Sequence, residues 1–186
     1  MPVRRRADVT SLELIGGPEP VTVGIHNYDP SWPAAFAKHR DRIRRALADR
    51  QVEIAHIGST SVPGLAAKPI VDIVVAVADI TAEEDYLDAL LAAGYELRVR
   101  EPGHRMVRTP ERDVHVHVYE RGARAVDEYL LLRDRLRTDA ADRALYERTK
   151  RELMQRGWDD MNAYADAKTA VIDAIKERAR AARARR

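Results

Sequence analysis

Residues 70–77 read Ile-Val-Asp-Ile-Val-Val-Ala-Val, and this apolar run constrains the fold more than any other feature. Apolar residues that fall on both faces of a strand predict a central strand, covered by other elements on both sides. The run contains one polar residue, Asp72. Burying an unpaired carboxylate costs several kcal/mol, so we expect a metal ion, a cation or hydrogen-bond donors beside it. Lys68, four residues earlier, is one candidate partner.

The patterns around this run predict an α+β fold. Alternating or apolar segments favour strands at 21–25, 51–57, 95–100, 105–108 and 113–120, and amphipathic spacing favours helices at 31–47 and 82–93. From about residue 127 the pattern is helical to the end, with a break at Gly157. We therefore expect a sheet layer with a helical C-terminal cap, in a single domain over 21–175. Residues 1–20 are expected to form a flexible arm, and residues 176–186 a basic tail that frays.

Charge and composition narrow the classes of function. The chain has 186 residues, 32 Lys and Arg against 30 Asp and Glu, and no cysteine. The basic excess comes from residues 176–186, so the body gives no sign of a nucleic-acid partner. No apolar stretch is long enough for a membrane span, and the N-terminus lacks the apolar core of a secretory signal. Absence of cysteine excludes disulfides and thiolate metal sites and fits a cytoplasmic location.

The loop Gly58-Ser59-Thr60-Ser61 joins two predicted strands and is the main candidate for ligand binding. Glycine permits tight backbone geometry, and successive N–H and hydroxyl groups can hold a phosphate. The same residues would also make an ordinary turn. The loop matches neither the Walker A pattern nor the Rossmann glycine fingerprint.

Residues 57–73, IGSTSVPGLAAKPIVDI, resemble the signature of the GrpB (UPF0157) family, a branch of the nucleotidyltransferase superfamily. Further segments resemble family motifs in the same order along the chain: Tyr28 to Pro33, His104-Arg105, Val114 to Val118, Leu132 to Arg137, Tyr146 to Lys150 and Tyr164 to Lys168. The resemblance covers roughly residues 20–178. It implies a nucleotidyltransferase-like fold, with a small mixed sheet flanked by helices and a helical C-terminal segment.

In that superfamily a Gly-Ser pair holds nucleotide phosphates and strand carboxylates hold divalent metal. By resemblance, Gly58 and Ser59 match the pair and Asp72 matches the first acid. The sequence departs from the pattern at Val74, where the second acid would stand, and at Ala55, where the family often has Glu. A two-metal mechanism needs several oxygen ligands, so the departure at Val74 puts such a mechanism in doubt.

Two histidines offer a substitute. His115 and His117 share one face of a predicted strand, and with Asp72 they could form a two-histidine, one-carboxylate site for one divalent ion. The superfamily implies Mg²⁺ or Mn²⁺. The histidines could instead hydrogen-bond phosphate or neighbouring backbone groups.

Basic side chains near the later motifs could hold a triphosphate or an acidic substrate. Lys68, Arg105 and Arg133 are the preferred candidates, and Arg137 and Lys150 are further ones; any of them could instead form a surface ion pair. The aromatic residues Trp32, Tyr146, Trp158 and Tyr164 are expected to pack in the core, although one of them could stack on a nucleobase.

These features favour a cytoplasmic, divalent-metal-dependent, NTP-binding enzyme of the nucleotidyltransferase type. It would transfer a nucleotidyl group to a small-molecule acceptor, or ligate through an adenylated intermediate. Asp72, His115 and His117 would be the catalytic and metal-binding residues, and Gly58, Ser59, Thr60 and Ser61 would bind phosphate. One alternative is a non-catalytic module that binds a nucleotide or phospho-metabolite and has lost the second acid. Another is an interaction protein in which Asp72 pairs with Lys68. The sequence leaves the oligomeric state open.

Overall fold

The structure, a computed structural model, describes residues 6–18, 24–48, 51–156 and 166–185. Its strands are β1 (Glu13–Leu14), β2 (Glu53–Ile57), β3 (Val71–Val77), β4 (Glu96–Glu101), β5 (His104–Arg108) and β6 (Val114–Glu120). Its α-helices are α1 (Trp32–Leu47), α2 (Leu87–Ala92), α3 (Arg124–Thr138), α4 (Ala140–Met154) and α5 (Thr169–Arg183). Short 3₁₀ turns lie at Ser59–Ser61 and Glu83–Asp85. Within these described ranges, every helix is too short or too polar to cross a lipid bilayer.

The described strands form one six-stranded mixed sheet in the order β1-β4-β5-β6-β3-β2. All neighbouring pairs are antiparallel except β3 and β6, which run parallel. The prediction of an α+β fold, with a small mixed sheet, flanking helices and a helical C-terminal segment, is confirmed. The central strand β3 has a neighbour on each side and is buried along nearly its whole length, as its apolar run requires.

The two faces of the sheet have different covers. On one face, which we call the core face, alternate residues of β3 and β6 pack against α1 and α2, with Ile73, Val75 and Val116 fully buried. On the other face, which we call the site face, Ile57 and Val74 pack under α3. A third cluster joins the loop after β2 to the C-terminal helices through Val62, Leu65, Leu136, Tyr146 and Ile175. The helical segment therefore closes over the candidate phosphate loop.

The helix predicted over 82–93 is shorter in the structure. Residues 83–85 form a 3₁₀ turn, and the α-helix begins only at Leu87. Tyr86 breaks the helix with an extended φ of −144°, because its side chain turns into the core and donates a hydrogen bond to the carbonyl of Ile80. Packing of this aromatic ring outweighs the local helical pattern.

The two ends of the chain are more closely tied to the body than the sequence indicated. Residues 6–18, part of the segment expected to be a flexible arm, follow the sheet edge, where Glu13–Leu14 pair with β4. At the other end, α5 continues to Arg183 through most of the segment expected to fray. Two contacts hold this last part of α5 against the body. Ala179 is buried, and Arg178 donates two hydrogen bonds to Asp142.

Three predictions fall partly or wholly outside the described residues. The strand expected at 21–25 is described only from residue 24, and nearby His26 forms an isolated bridge with Ala67. The break at Gly157 and the aromatic residues Trp158 and Tyr164 lie outside the described ranges. Of the other aromatic residues, Trp32 and Tyr146 are buried in core clusters, as expected.

Candidate functional site

The parallel pairing of β3 and β6 brings Asp72 and the two histidines together. Across this strand pair, Asp72 of β3 lies opposite His115 of β6. Two residues further along β3, on the same face of the sheet, Val74 lies opposite His117. The carboxylate Oδ1 of Asp72 is 3.3 Å from Nε2 of His117 and 3.7 Å from Nδ1 of His115. One ligand atom from each residue lies within 4.8 Å of the others. The three side chains are partly exposed, so a ligand can reach them from the site face.

Gly58 is required where the loop passes this carboxylate. Its backbone has φ +70° and ψ −176°, a conformation that residues with a side chain rarely adopt. A Cβ atom built at Gly58 would stand 2.6 Å from Oδ2 of Asp72, which is far inside van der Waals contact. The glycine therefore lets the loop backbone lie directly against the acid, as the sequence suggested.

The hydroxyl groups of the loop have different partners. Ser61 Oγ donates to the carbonyl of Gly58 at 2.6 Å, and Thr60 Oγ1 donates to the carbonyl of Ile70 at 3.1 Å. Both residues are buried and these hydroxyls hold the turn together. Ser59 differs, because its Oγ accepts from Nζ of Lys150 at 3.0 Å. The hydroxyls of Thr60 and Ser61 thus bind the protein's own carbonyl groups, whereas that of Ser59 faces a lysine; phosphate binding by the loop stays a prediction.

Three lysines stand around this loop. Nζ of Lys150 donates to Ser59 Oγ and, at 2.5 Å, to the carbonyl of Ala66, and burial lowers its pKa to about 7. Burial, together with the charge of Lys168, lowers the pKa of Lys68 to about 8. Lys168 is partly buried, and this desolvation lowers its pKa, while the charge of Asp72 acts to raise it. Several ammonium groups with depressed pKa values favour an anion as the ligand of this region.

Lys168 also acts on Asp72. Burial raises the pKa of the Asp72 carboxyl, but the hydrogen bond with His117 and the charges of the two histidines and Lys168 outweigh it, so the pKa lies below its ordinary value. The positive charges that act on this acid thus come from β6 and the start of α5. The partner suggested from sequence, Lys68, is not among these main contributors.

Arg133 and Arg137 reach from α3 to β2 and to the loop that follows it. Arg133 Nη1 donates to the carbonyl of His56, in β2, at 3.2 Å, while its Nε and Nη2 face Asp134. Arg137 donates to the carbonyl of Ser61, in the loop, through both Nε and Nη2. Both guanidinium groups therefore contact backbone carbonyls, and phosphate binding by Arg133 stays a prediction.

Arg105 lies elsewhere. It alternates with His104 and Met106 along β5 and points to the core face, where it is 2% exposed. Its guanidinium contacts Glu83 at 2.6 Å and Asp8 at 2.7 Å, and donates to the carbonyls of Glu101 and His104. The expectation that Arg105 contacts phosphate beside Asp72 does not agree with this placement, because the sheet separates the two.

The arrangement fits one divalent ion. A carboxylate and two imidazoles, whose ligand atoms lie within 4.8 Å of one another, can supply three ligands to one ion. Imidazole ligands suit Mn²⁺, Fe²⁺, Co²⁺ or Zn²⁺ better than Mg²⁺, which prefers oxygen. The donor set therefore favours an ion that accepts nitrogen ligands.

The model of the family described as GrpB protein matches residues 22–178. The chain belongs to the GrpB family. A UPF0157 protein of Streptomyces coelicolor is 71% identical over 180 residues, 97% of this chain and 96% of that protein. The crystal structure of the conserved protein GrpB from Enterococcus faecalis has a TM-score of 0.74 at 31% identity, covering 84% of this chain and 96% of that one. A dephospho-CoA kinase of Mycolicibacterium paratuberculosis is 30% identical over 169 residues, which are 75% of this chain and 42% of the kinase.

In this GrpB chain, the position without the second acid is occupied by a packing residue. Val74 is 2% exposed and lies in the apolar cluster beneath α3 with Ile57 and Val126. Its neighbour across the parallel pair is His117. An imidazole, whose donor atom is nitrogen, therefore stands beside the position where the superfamily pattern has a second carboxylate.

Sequence reasoning passed over several residues of the GrpB site. Lys150 was only a further candidate, and Lys168, Glu101 and His104 had no assigned role. Lys150 and Lys168 each lie within segments that resemble family motifs, which is the one signal that could have drawn attention to them. The sequence pattern of a helix shows which side is apolar, but it does not show what a lysine on the helix contacts. Lys150, for example, contacts Ser59, which is 91 residues away in the sequence.

Proposed function

We propose that this GrpB chain binds a nucleoside triphosphate together with one divalent ion and transfers a nucleotidyl group to a small-molecule acceptor. The observation that carries the proposal is the juxtaposition of Asp72, His115 and His117 with the Gly58-Ser59 loop and its lysines. A metal donor set alone would suit many functions. A donor set beside a cationic loop suits a ligand that is both anionic and metal-chelating, such as a triphosphate.

Each group has a role in this proposal. Asp72 and one histidine of the pair would hold the ion, which would polarise a phosphoryl oxygen. Ser59, Lys150 and Lys168 bind phosphate oxygens, with Lys68 adding positive charge. The other histidine of the pair takes the proton of the acceptor. The acceptor oxygen forms a bond to the α-phosphorus, the bond between that phosphorus and the bridging oxygen breaks, and pyrophosphate leaves with the bonding electrons.

A binding experiment tests the first half of the proposal. Isothermal titration of ATP into the full chain, with and without MnCl₂, should show binding that the ion strengthens. Asp72→Asn keeps the size of the side chain but removes its charge, and should lower the metal-dependent part of the affinity by at least about tenfold. Glu111→Gln, an exposed turn residue, is the control and should behave as wild type. Equal metal-dependent binding by wild type and Asp72→Asn would contradict the proposal.

The second candidate is a module that binds a nucleotide or phospho-metabolite without catalysis. The buried Val74 favours it, because the site offers one carboxylate where a two-metal enzyme needs several oxygen ligands. The similarity to part of a longer dephospho-CoA kinase is also consistent with a module that accompanies nucleotide chemistry carried out elsewhere in a chain. Metal-dependent ATP binding without pyrophosphate release, across a panel of hydroxyl, amine and carboxylate acceptors, would support this candidate over the enzyme.

A further inference from the structure

A line of hydrogen bonds leads from the candidate metal site to the protein surface. His117 Nδ1 is 3.1 Å from Nε2 of His104, and Nδ1 of His104 is 2.6 Å from Oε1 of Glu101. At the other end, His117 Nε2 is 3.3 Å from Oδ1 of Asp72. Glu101 is 40% exposed, whereas His104 is 11% exposed. The line thus connects a carboxyl group at the surface to Asp72 through two imidazoles.

One arrangement of protons satisfies every contact of this line. A carboxylate oxygen accepts, so Nδ1–H of His104 donates to Glu101. A neutral imidazole that donates from Nδ1 accepts at Nε2, so Nε2 of His104 accepts from Nδ1–H of His117 across the 3.1 Å contact. In this tautomer the lone pair of His117 is on Nε2, which faces Asp72, where a divalent ion shared with the carboxylate would lie.

The ring of His104 is also held in place from several sides. It stacks on His117 and on Tyr119, with centroid distances of 5.3 and 4.5 Å. Glu101 and His104 face each other across the β4–β5 hairpin. From the core face, Arg105 donates to both of their carbonyls, and Asp8 accepts from the amide of Gly103 between them. The pair is therefore fixed in position independently of any ligand.

We propose that Glu101 and His104 are positioning residues that hold His117 in the tautomer whose Nε2 binds the divalent ion. This inference rests on the metal role in the proposed function. Histidine ligands commonly donate their other ring N–H to an acceptor linked to a carboxylate, and loss of that acceptor typically weakens metal binding roughly 10- to 100-fold. Here the acceptor is a second histidine, and the carboxylate stands behind it.

The test compares three variants of the full chain, with Co²⁺ alone as the probe. His104→Phe keeps the aromatic stack but removes the acceptor, and should weaken Co²⁺ binding roughly 10- to 100-fold and shift the visible absorption band of the bound ion. His104→Gln restores an acceptor oxygen and should recover most of the affinity and the band position. Glu101→Gln should weaken binding by a few-fold, and the exposed Glu111→Gln should leave it unchanged.

The outcomes separate this inference from the proposed function. If His104→Phe binds Co²⁺ with wild-type affinity and spectrum, the positioning role is wrong, while metal-assisted ATP binding can still stand. If wild type binds neither Co²⁺ nor Mn²⁺, the metal role fails and both proposals fall with it. Should His104→Phe not fold, as judged by circular dichroism, Glu101→Gln decides the question, because its exposed side chain can lose its charge without opening the core. Unchanged affinity and spectrum in Glu101→Gln would then overturn the inference.

Discussion

Two clusters of charged side chains lie on opposite faces of the same sheet and satisfy their charges differently. On the core face, Arg105 meets Asp8 and Glu83 and donates to two carbonyl groups, so all three nitrogens of its guanidinium have partners. On the site face, Asp72 meets two imidazoles, which carry positive charge only when protonated. The charges of the first cluster compensate one another, whereas the second has the ligand atoms that a divalent cation would need.

The difference lies in how completely each cluster is paired and how deeply it is buried. The core-face cluster joins residues 8, 83 and 105, which are far apart in sequence, and so ties the N-terminal segment to the sheet. The site-face cluster is partly exposed and holds three ligand atoms close together, and the protein also carries lysines with lowered pKa values near the Gly58-Ser59 loop. The two are linked, because the core-face cluster also fixes the hairpin that carries Glu101 and His104.

The largest effect is expected from breaking the core-face cluster. Arg105→Met leaves Asp8 and part of Glu83 without their cation, and removal of one partner from a buried ion pair costs about 3 to 5 kcal/mol. Urea unfolding should show a loss of this size in the free energy of unfolding. Asp72→Asn serves as the comparison on the site face, where we expect a far smaller loss of stability. Equal losses for the two variants would remove the distinction between the clusters.

The next effect concerns the contact between loop and acid. Gly58→Ala forces a positive φ on alanine and places its Cβ against Asp72, so we expect a loss of roughly 1 to 3 kcal/mol in stability, together with weakened Co²⁺ binding. Gly64→Ala is the matched control, because Gly64 also has a positive φ, of +77°, but has nothing within 4 Å of a built Cβ. If both variants bind Co²⁺ as wild type does, the close approach of Gly58 to Asp72 is not needed for the site.

A pH profile examines the lysines of the site face. Phosphate binding favours the charged form of a lysine, and the free protein holds the pKa of Lys150 at about 7 and that of Lys68 at about 8. The affinity for ATP in EDTA, without metal, should therefore fall as the pH rises through 7 to 8.5, by about tenfold. The same ATP titration on Lys150→Met, which lacks one of these lysines, should show an affinity that depends less on pH. Parallel profiles for the two proteins would contradict a role for Lys150 in anion binding.

The smallest effect is expected at an exposed ion pair near the core-face cluster. Arg6 and Glu84 approach to 3.4 Å, but their side chains are 66% and 40% exposed. Exposed pairs contribute little because water and salt screen them, so Arg6→Ala should change the free energy of unfolding by less than about 0.5 kcal/mol. A loss comparable with that of Arg105→Met would show that pairing, rather than burial, sets the stability of this region.

Much of the candidate site could be predicted from local sequence pattern. Asp72 stands out because it is the one polar residue in an apolar strand. His115 and His117 share a face because strand residues alternate, and Gly58 precedes a turn that needs its conformation. Arg105 does not lie beside Asp72 as expected: its resemblance to a family motif suggested a phosphate contact, but its partner Asp8 lies 97 residues away. The sequence left open whether the loop hydroxyls bind phosphate or form a turn, and in the structure Thr60 and Ser61 donate to carbonyl groups of the protein.

The sequence by itself determined the family, the α+β class, and the strands and acid from which the site is built. These follow from hydrophobic periodicity and a long motif, which are properties of contiguous residues. Only the tertiary structure decided that β3 pairs in parallel with β6, so that Asp72 meets a histidine 45 residues away. It also decided that Lys150 contacts the loop at Ser59 and that the charge of Lys168 acts on Asp72. Strand register and helix docking depend on many distant contacts acting together, so no short stretch of sequence encodes them.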